Sequence, residues 1–123
     1  MDDTIGTTLP TAYEPPTENI DLLKVLQPHP GSTFLIRIAD SSMQDANMPI
    51  GSLAVVERTA KPVSGAIVVA MLDNEITVKR LVKAGRNWVL HPENAFHKPL
   101  LITEEMEFRV LGVVTHVIVD LRK

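Results

Sequence analysis

The sequence predicts a mainly β domain, a curled sheet or partial barrel, with an extended N-terminal arm and one short helix. Two observations carry this prediction: six stretches rich in β-branched residues, and two dipeptides that suit tight hairpin turns. The stretches are TFLIRI, SLAVVER, AIVVAML, EITVKRLV, NWVLH and FRVLGVVTHVIV. The chain of 123 residues suits one domain, and its 45% hydrophobic content provides a core of Val, Ile and Leu.

Residues 1–19 are the predicted arm. The stretch MDDTIGTTLPTAYEPP is rich in Thr and Pro and has no sustained apolar period, which is typical of extended chain. Thr17 or Asn19 is expected to cap a short helix through IDLLKVL, because either side chain can accept from free helix N–H groups. The helix should end at QPHPG, since neither Pro28 nor Pro30 can donate a backbone hydrogen bond.

Turn residues separate the strands of the predicted domain, which is expected to span residues 20–123. Asp73-Asn74 suits a tight hairpin because both residues tolerate positive φ, and Gly85-Arg86 predicts a second hairpin. The stretch HPENAFHKP is predicted to be a longer loop before the last strand. Strands joined by short turns favour a sheet built largely from sequence neighbours.

The bulk composition excludes several classes of protein. A net charge of −3 argues against a broad electrostatic grip on nucleic acid, so no direct nucleic-acid binding is expected. The chain has no cysteine, which excludes disulfides, thiolate chemistry and Cys-based zinc sites. No apolar run approaches the roughly 18 residues that span a bilayer, and no signal peptide opens the chain. We therefore expect a soluble, cytoplasmic protein without a metal or cofactor.

A polar stretch, ADSSMQDANMP, follows the first predicted strand and raises the question of whether Ser41 or Ser42 is a nucleophile. A serine hydroxyl attacks only after a base removes its proton. The four histidines lie in loops or in a dense apolar strand, and no carboxylate is spaced to mark a Ser-His-Asp set. They are His29, His91, His97 and His116. Ser, Asp and Asn are also common turn residues, so the pattern alone favours a plain turn.

Lys79, in EITVKRLV, is the other candidate base. Strand alternation places Thr77, Lys79 and Leu81 on one face of the sheet. A lysine on a strand face beside a core loses hydration, and desolvation lowers its pKa because the charged form is disfavoured. From this pattern alone, a lysine that faces solvent is the more common outcome.

The combination of DSSM and TVKRL resembles the LexA/UmuD family of self-cleaving serine–lysine peptidases. In that family a Ser-Met pair carries the nucleophile, and a lysine in a later TVK strand is the base. The separation between Ser42 and Lys79 is similar to that of UmuD. The likeness covers about residues 20–122 and includes IDLLKVLQPHPGSTFLIRI, GAIVVAMLDNEITVKRL, LHPENAFHKPLLI and VLGVVTHVIVDLR.

The resemblance implies a fold like the C-terminal domain of LexA and UmuD, and it assigns roles to four residues. Ser42 would be the nucleophile, Lys79 its general base, and Met43 would pack beside the serine. Backbone N–H groups near Ser41 and Ser42 would be candidates for the oxyanion hole, where they would meet the charge that develops on the attacked carbonyl. With these implied roles, Ser42 is expected to be a nucleophile rather than a plain turn residue. Lys79 is expected to be a general base rather than a lysine that faces solvent.

Two departures from the family pattern lie near the serine. The position two before the nucleophile is usually glycine, and here it is Asp40, which puts the geometry of the turn in doubt. A Gly-Asp pair often follows the active-site loop, and here it reads Gly51-Ser52. The second change is expected to have little chemical consequence.

A third departure concerns the substrate. Family members cut an Ala-Gly or Cys-Gly bond in their own arm, but residues 1–19 contain neither dipeptide. The candidate bond is Ile5-Gly6, which a pocket shaped for a small residue should receive poorly because Ile5 is β-branched. The chain is therefore expected to be a mature or truncated form, to cut Ile5-Gly6 inefficiently, or to work only by binding.

The resemblance implies a protein of the SOS response. In UmuD-type members, a RecA filament on single-stranded DNA promotes self-cleavage, and the shortened protein forms a homodimer that joins a UmuC-type Y-family polymerase for mutagenic bypass of DNA damage.

A complete LexA repressor adds a helix-turn-helix that the residues before Ile20 are too few to form. Signal peptidases share the chemistry but need a membrane anchor. Two alternatives remain. One is a catalytically inactive or already processed dimeric binding module, favoured by Asp40 and opposed by the retained Ser42 and Lys79, and the other is the C-terminal domain of a LexA-like repressor.

The apolar stretch VLGVVTHVIV provides a physical reason to expect a homodimer. Such a stretch is too apolar for an uncovered sheet edge, so it is expected to be buried either within the chain or against a second copy.

Overall fold

The computed structural model describes residues 19–58 and 60–122. Most of the predicted arm lies outside these residues, and so do the candidate cap Thr17 and the candidate bond Ile5-Gly6. Among the described helices, none is long and apolar enough to cross a membrane.

Seven antiparallel strands form one open sheet, which confirms the mainly β prediction. The strands are β1 (Thr33–Arg37), β2 (Leu53–Glu57), β3 (Ile67–Leu72), β4 (Glu75–Ala84), β5 (Asn87–His91), β6 (Leu100–Leu101) and β7 (Phe108–Ile118). Their order across the sheet is β1-β2-β7-β3-β4-β5-β6. All six predicted stretches are strands, and the two-residue β6 is an addition to the prediction.

The helix α1 (Leu22–Leu26) ends before Pro28, as QPHPG predicted, but its cap differs from the prediction. Asn19 was expected as a candidate cap, and the cap is Asp21. The carboxylate of Asp21 accepts from the backbone N–H of Leu23 at 3.0 Å and of Lys24 at 3.4 Å. These are the N–H groups that a helix beginning at Leu22 leaves free, so the cap must lie one residue before it.

Both predicted hairpins are present. Asp73 and Asn74 have φ of 47° and 70°, which is the left-handed backbone that a two-residue turn between twisted strands requires. Gly85 has φ of 65° in the turn from β4 to β5. The Asp73-Asn74 turn fixes the register of β3 against β4, in which Val69 lies opposite Val78 and Val68 opposite Lys79.

Two clusters of buried side chains make up the core. One contains Ile38, Met43, Met48, Ala54, Val56 and Val69. The other contains Val68, Ala70, Leu81 and Leu90. Successive residues of β3 enter different clusters, so the middle of the sheet is covered on both faces. The first cluster packs the chain after β1 onto the sheet, and this packing positions the candidate site.

The last strand, β7, lies in the middle of the sheet between β2 and β3. β3 pairs with Phe108 to Val113 and β2 with Val113 to Ile118, so only Val113 is paired on both hydrogen-bonding edges. The first half of β7 is paired along one edge by β3 and the second half along the other edge by β2. The edge-strand argument for a homodimer therefore stays a prediction for the second half, Val114 to Ile118.

Candidate active site

Ser42 lies in the serine loop, which we define as residues 38–48. Only 3% of Ser42 is exposed, and the neighbouring Met43 and Met48 are fully buried in the first core cluster. A 3₁₀ turn, Gln44–Ala46, follows, and the backbone N–H of Ala46 donates to the carbonyl of Met43 at 3.0 Å. The two methionines anchor the loop, because burying such side chains contributes about 1.5–3 kcal/mol each.

The residues that follow β5 stabilise the serine loop through hydrogen bonds. The backbone N–H of Glu93 donates to the carbonyl of Ser42 at 2.8 Å, and the carbonyl of Glu93 accepts from Asp45 N–H at 2.7 Å. The side-chain amide of Asn94 donates to the carbonyl of Ser41 at 2.7 Å. The stretch HPENAFHKP, predicted only as a loop, thus supports the candidate nucleophile.

The contact from Asn94 fixes the direction of a backbone donor. In a trans peptide the C=O and the N–H point in opposite directions, so an anchored Ser41 carbonyl aims the Ser42 N–H away from Asn94. That N–H donates to Oδ1 of Asp40 at 2.9 Å. It is one of the candidate donors for an oxyanion hole that the resemblance implies.

Asp40 keeps the turn without strain. Its φ is not among the positive values of the described residues, so glycine's freedom is not required at this position. Hydrogen bonds from the backbone N–H and hydroxyl of Ser42 lower the pKa of Asp40, and the charges of Lys79 and His97 lower it further. Asp40 is therefore ionised at neutral pH beside the candidate nucleophile.

Lys79 lies on β4, opposite Val68, and is partly buried. Its Nζ donates to Oγ1 of Thr77 at 2.8 Å, so Thr77 and Lys79 share a face as strand alternation predicted. Burial lowers the pKa of Lys79, and the negative charge of Asp40 opposes this effect. Desolvation is the larger cause, so the neutral amine that a general base needs is favoured relative to an exposed lysine.

A cleft of about 240 Å³ joins the serine loop to β4. One wall is the end of β1 with the serine loop, including Ser42 and Met43, and the other is Ile76 to Val78. Thr77, the hydrogen-bond partner of Lys79, thus lines the same cleft as Ser42. Among the described residues Lys79 Nζ makes no hydrogen bond to Ser42 Oγ, and Asp40 is the group that interacts with both.

The turn after the serine loop closes without the aspartate that the family often has there. Ser52 is buried, and its hydroxyl donates to the carbonyl of Pro49 at 2.7 Å. Gly51 has φ of 92°, and its N–H donates to the carbonyl of Ile38 at 2.8 Å. Gly51-Ser52 is a structural turn, in line with the small chemical consequence expected of it.

Two other features of the described residues offer no comparable chemistry. A hollow of about 480 Å³ near the β3–β4 turn has no serine or lysine in its lining. Within residues 19–58 and 60–122, no three His, Asp or Glu side chains are grouped to hold a metal ion. The cleft at Ser42 is therefore the candidate active site.

Asn94 is expected to matter for the reactivity of Ser42. In Asn94→Ala the Ser41 carbonyl keeps only the Gln44 N–H as a donor, so the Ser42 peptide becomes less well oriented. We expect labelling of Ser42 by a fluorophosphonate probe to slow about three- to tenfold, the effect of one lost hydrogen bond. Asn94→Asp is the matched variant, because it keeps the acceptor for Phe96 N–H but cannot donate to Ser41. Wild-type labelling of Asn94→Asp would contradict the assigned role.

Comparison with known proteins identifies the family of the chain. A family model described as Peptidase S24-like matches residues 5–115. The LexA repressor of Syntrophotalea carbinolica is 38% identical over 108 residues, which cover 84% of this chain and 54% of the repressor. The chain thus spans about half the length of this curated relative. With a matched region that includes both Ser42 and Lys79 and a mainly β fold, the chain belongs to the Peptidase S24-like family and is similar to a LexA repressor.

Proposed function

We propose that this chain is a self-cleaving serine–lysine peptidase with Ser42 as nucleophile and Lys79 as general base. The observation that carries the proposal is the shared cleft: a buried serine on one wall faces a strand whose partly buried lysine has a lowered pKa. A serine needs a neutral base to become a nucleophile, and desolvation supplies one from lysine.

The chemistry follows from these positions. Neutral Lys79 takes the proton of the Ser42 hydroxyl as Oγ attacks the carbonyl carbon of the scissile peptide. Backbone N–H groups of Ser41 and Ser42 stabilise the oxyanion of the tetrahedral intermediate. The protonated lysine then gives its proton to the leaving amine. Lys79 next activates a water, which hydrolyses the acyl-serine and restores the hydroxyl.

The cleft suits an extended segment of peptide as substrate. Its walls carry apolar side chains of Ile38, Ile76 and Val78 beside Ser42. An arm segment bound there would place one carbonyl at Ser42, and Ile5-Gly6 is the candidate bond within this sequence. An arm with a smaller residue before glycine should be cut faster, because β-branched Ile5 fits a small pocket poorly.

The experiment that tests the proposal uses a version of the chain with a longer arm that carries an Ala-Gly bond. Incubation at raised pH should release one specific arm peptide, measured by mass spectrometry. Ser42→Ala in the same version is the control and should release none. Equal release from Ser42→Ala, or none from the wild-type site, would overturn the assignment.

We further propose a UmuD-type role: a cytoplasmic SOS protein whose self-cleavage is promoted by a RecA filament on single-stranded DNA. The cleaved homodimer would serve as accessory subunit of a UmuC-type Y-family polymerase. The likeness of VLGVVTHVIVDLR to the UmuD C-terminus supports this. Co-purification of the dimer with the host's Y-family polymerase is the test, and a clean monomer in sedimentation at micromolar concentration would count against it.

The similarity to a LexA repressor favours a second candidate equally. In it, the chain corresponds to the self-cleaving C-terminal part of a LexA-like repressor, and the 54% coverage of that relative fits such a portion. RecA-promoted cleavage is common to both candidates, but binding to a polymerase distinguishes the UmuD type. A catalytically inactive binding module would bind a partner yet release no arm peptide from either version.

A further inference from the structure

The two hydrogen-bonding groups of Ser42 that catalysis needs are both turned toward one carboxylate. The backbone N–H donates to Asp40 Oδ1 at 2.9 Å, and the hydroxyl interacts with the same side chain. Asn94 holds the peptide in this orientation through the Ser41 carbonyl. A negative oxygen therefore lies where the donor of the oxyanion hole points.

The same carboxylate acts on the base. Asp40 and Lys79 interact through their charges, and the interaction favours the protonated lysine. A protonated lysine cannot take the proton of Ser42. His97 is the other described group whose charge acts on Asp40. Arg37 lines the same cleft, but its guanidinium donates to the carbonyl of Gly51 at 2.8 Å.

We propose that Asp40 is a positioning residue that holds the site in a resting state. Its carboxylate occupies the Ser42 N–H that would stabilise the oxyanion, and its charge favours the protonated form of Lys79, against the larger opposite effect of burial. This inference rests on the proposed function of Ser42 and Lys79. A bound peptide whose carbonyl displaces Asp40 from the Ser42 N–H would release both restraints at once.

Two substitutions separate the restraints. Asp40→Asn keeps an oxygen that accepts from Ser42 N–H but removes the charge. Asp40→Ala removes both the acceptor and the charge, and the ordinary φ at this position tolerates alanine. His97→Gln is a control for the other charge that acts on Asp40.

The primary readout is the rate at which a fluorophosphonate labels Ser42 between pH 7 and pH 10. Asp40→Asn should label about three- to tenfold faster than wild type at pH 7, the effect of one charge in partly solvated surroundings. The midpoint of its pH profile should move to lower pH, because neutral Lys79 forms more easily without Asp40. Asp40→Ala should label faster still, since the N–H is also free.

A second readout does not depend on chemistry at the serine. In a Ser42→Ala background, the NMR titration of the Lys79 side chain should move to lower pH when Asp40 becomes asparagine. A carboxylate that only shapes the turn would leave both the titration and the labelling profile unchanged, and that result would overturn the inference. Failure of the proposed function shows separately, as arm cleavage that survives Ser42→Ala.

Discussion

Replacing Lys79 with alanine is expected to reduce arm cleavage by about 10³-fold or more, because Ser42 loses its proposed general base. Cleavage by the unmodified site should rise with pH. Burial lowers the pKa of Lys79, so the neutral amine becomes abundant at a lower pH than it would for an exposed lysine. The cleavage rate should level off once the pH exceeds the pKa of Lys79. Arm-peptide release, measured by mass spectrometry across the pH range, checks both results.

Lys83→Ala is the matched control on the same strand. Lys83 is exposed, and its ammonium lies 5.3 Å from the ring centre of Trp88, away from the cleft. This variant should cleave at the wild-type rate. Equal losses in the two variants would show that β4 matters only as structure.

Stability provides an independent check on Lys79. A lysine whose pKa is lower in the folded state than in the unfolded state binds fewer protons when folded between the two pKa values. The stability contributed by this group therefore rises with pH across that window and is least favourable below it. Lys79→Met should keep or raise the melting temperature at neutral pH while it abolishes cleavage, so lost activity cannot be ascribed to unfolding.

Gly112→Ala is expected to cause the largest loss of stability of the substitutions considered. A Cβ at this position of β7 would lie 2.6 Å from Cγ1 of Val56 and 2.9 Å from the backbone oxygen of Glu57. The oxygen belongs to β2, which pairs with β7, so it cannot move away without disturbing the ladder. Alanine should lower the free energy of unfolding by about 1–3 kcal/mol, and valine by more. Urea denaturation measures the change.

Gly85→Asn is the control for loss of a glycine. A side chain at Gly85 meets nothing within 4 Å, and asparagine tolerates the φ of 65° found there. This variant should stay within about 1 kcal/mol of the wild type. A Gly112→Ala protein as stable as Gly85→Asn would mean that the β2–β7 contact relaxes more easily than its geometry indicates.

Local patterns were sufficient to predict most of the sheet. β-Branched runs mark six strands, and Asp73-Asn74 marks a turn because few residue pairs accept positive φ in succession. The two residues of β6 are too few for any periodicity, so pairing with β5 alone defines that strand. The cap at Asp21 was missed because Asn19 is an equally good capping type, and only the actual start of α1 distinguishes them.

The candidate site was predictable only in part, because its supports join distant parts of the chain. Ser42 and Lys79 followed from a likeness to known motifs, and the cleft is lined by Ser42 and by Thr77, the hydrogen-bond partner of Lys79. The bond from Asn94 to the Ser41 carbonyl spans 53 positions, and no local signal indicates it. Asp40 replaces the usual glycine, so the sequence put the geometry of the turn in doubt. In the structure Asp40 has no positive φ, and its charge interacts with that of Lys79.

The central place of β7 has a consequence for the order in which the candidate site is assembled. β1 and β2, which lead to the serine, pair with the rest of the sheet only through β7, and β3 with β4, which carries the lysine, lies on its other side. During translation β7 leaves the ribosome after the other six strands. The sheet that joins Ser42 to Lys79 is therefore completed last, and a nascent chain that still lacks β7 has no assembled candidate site.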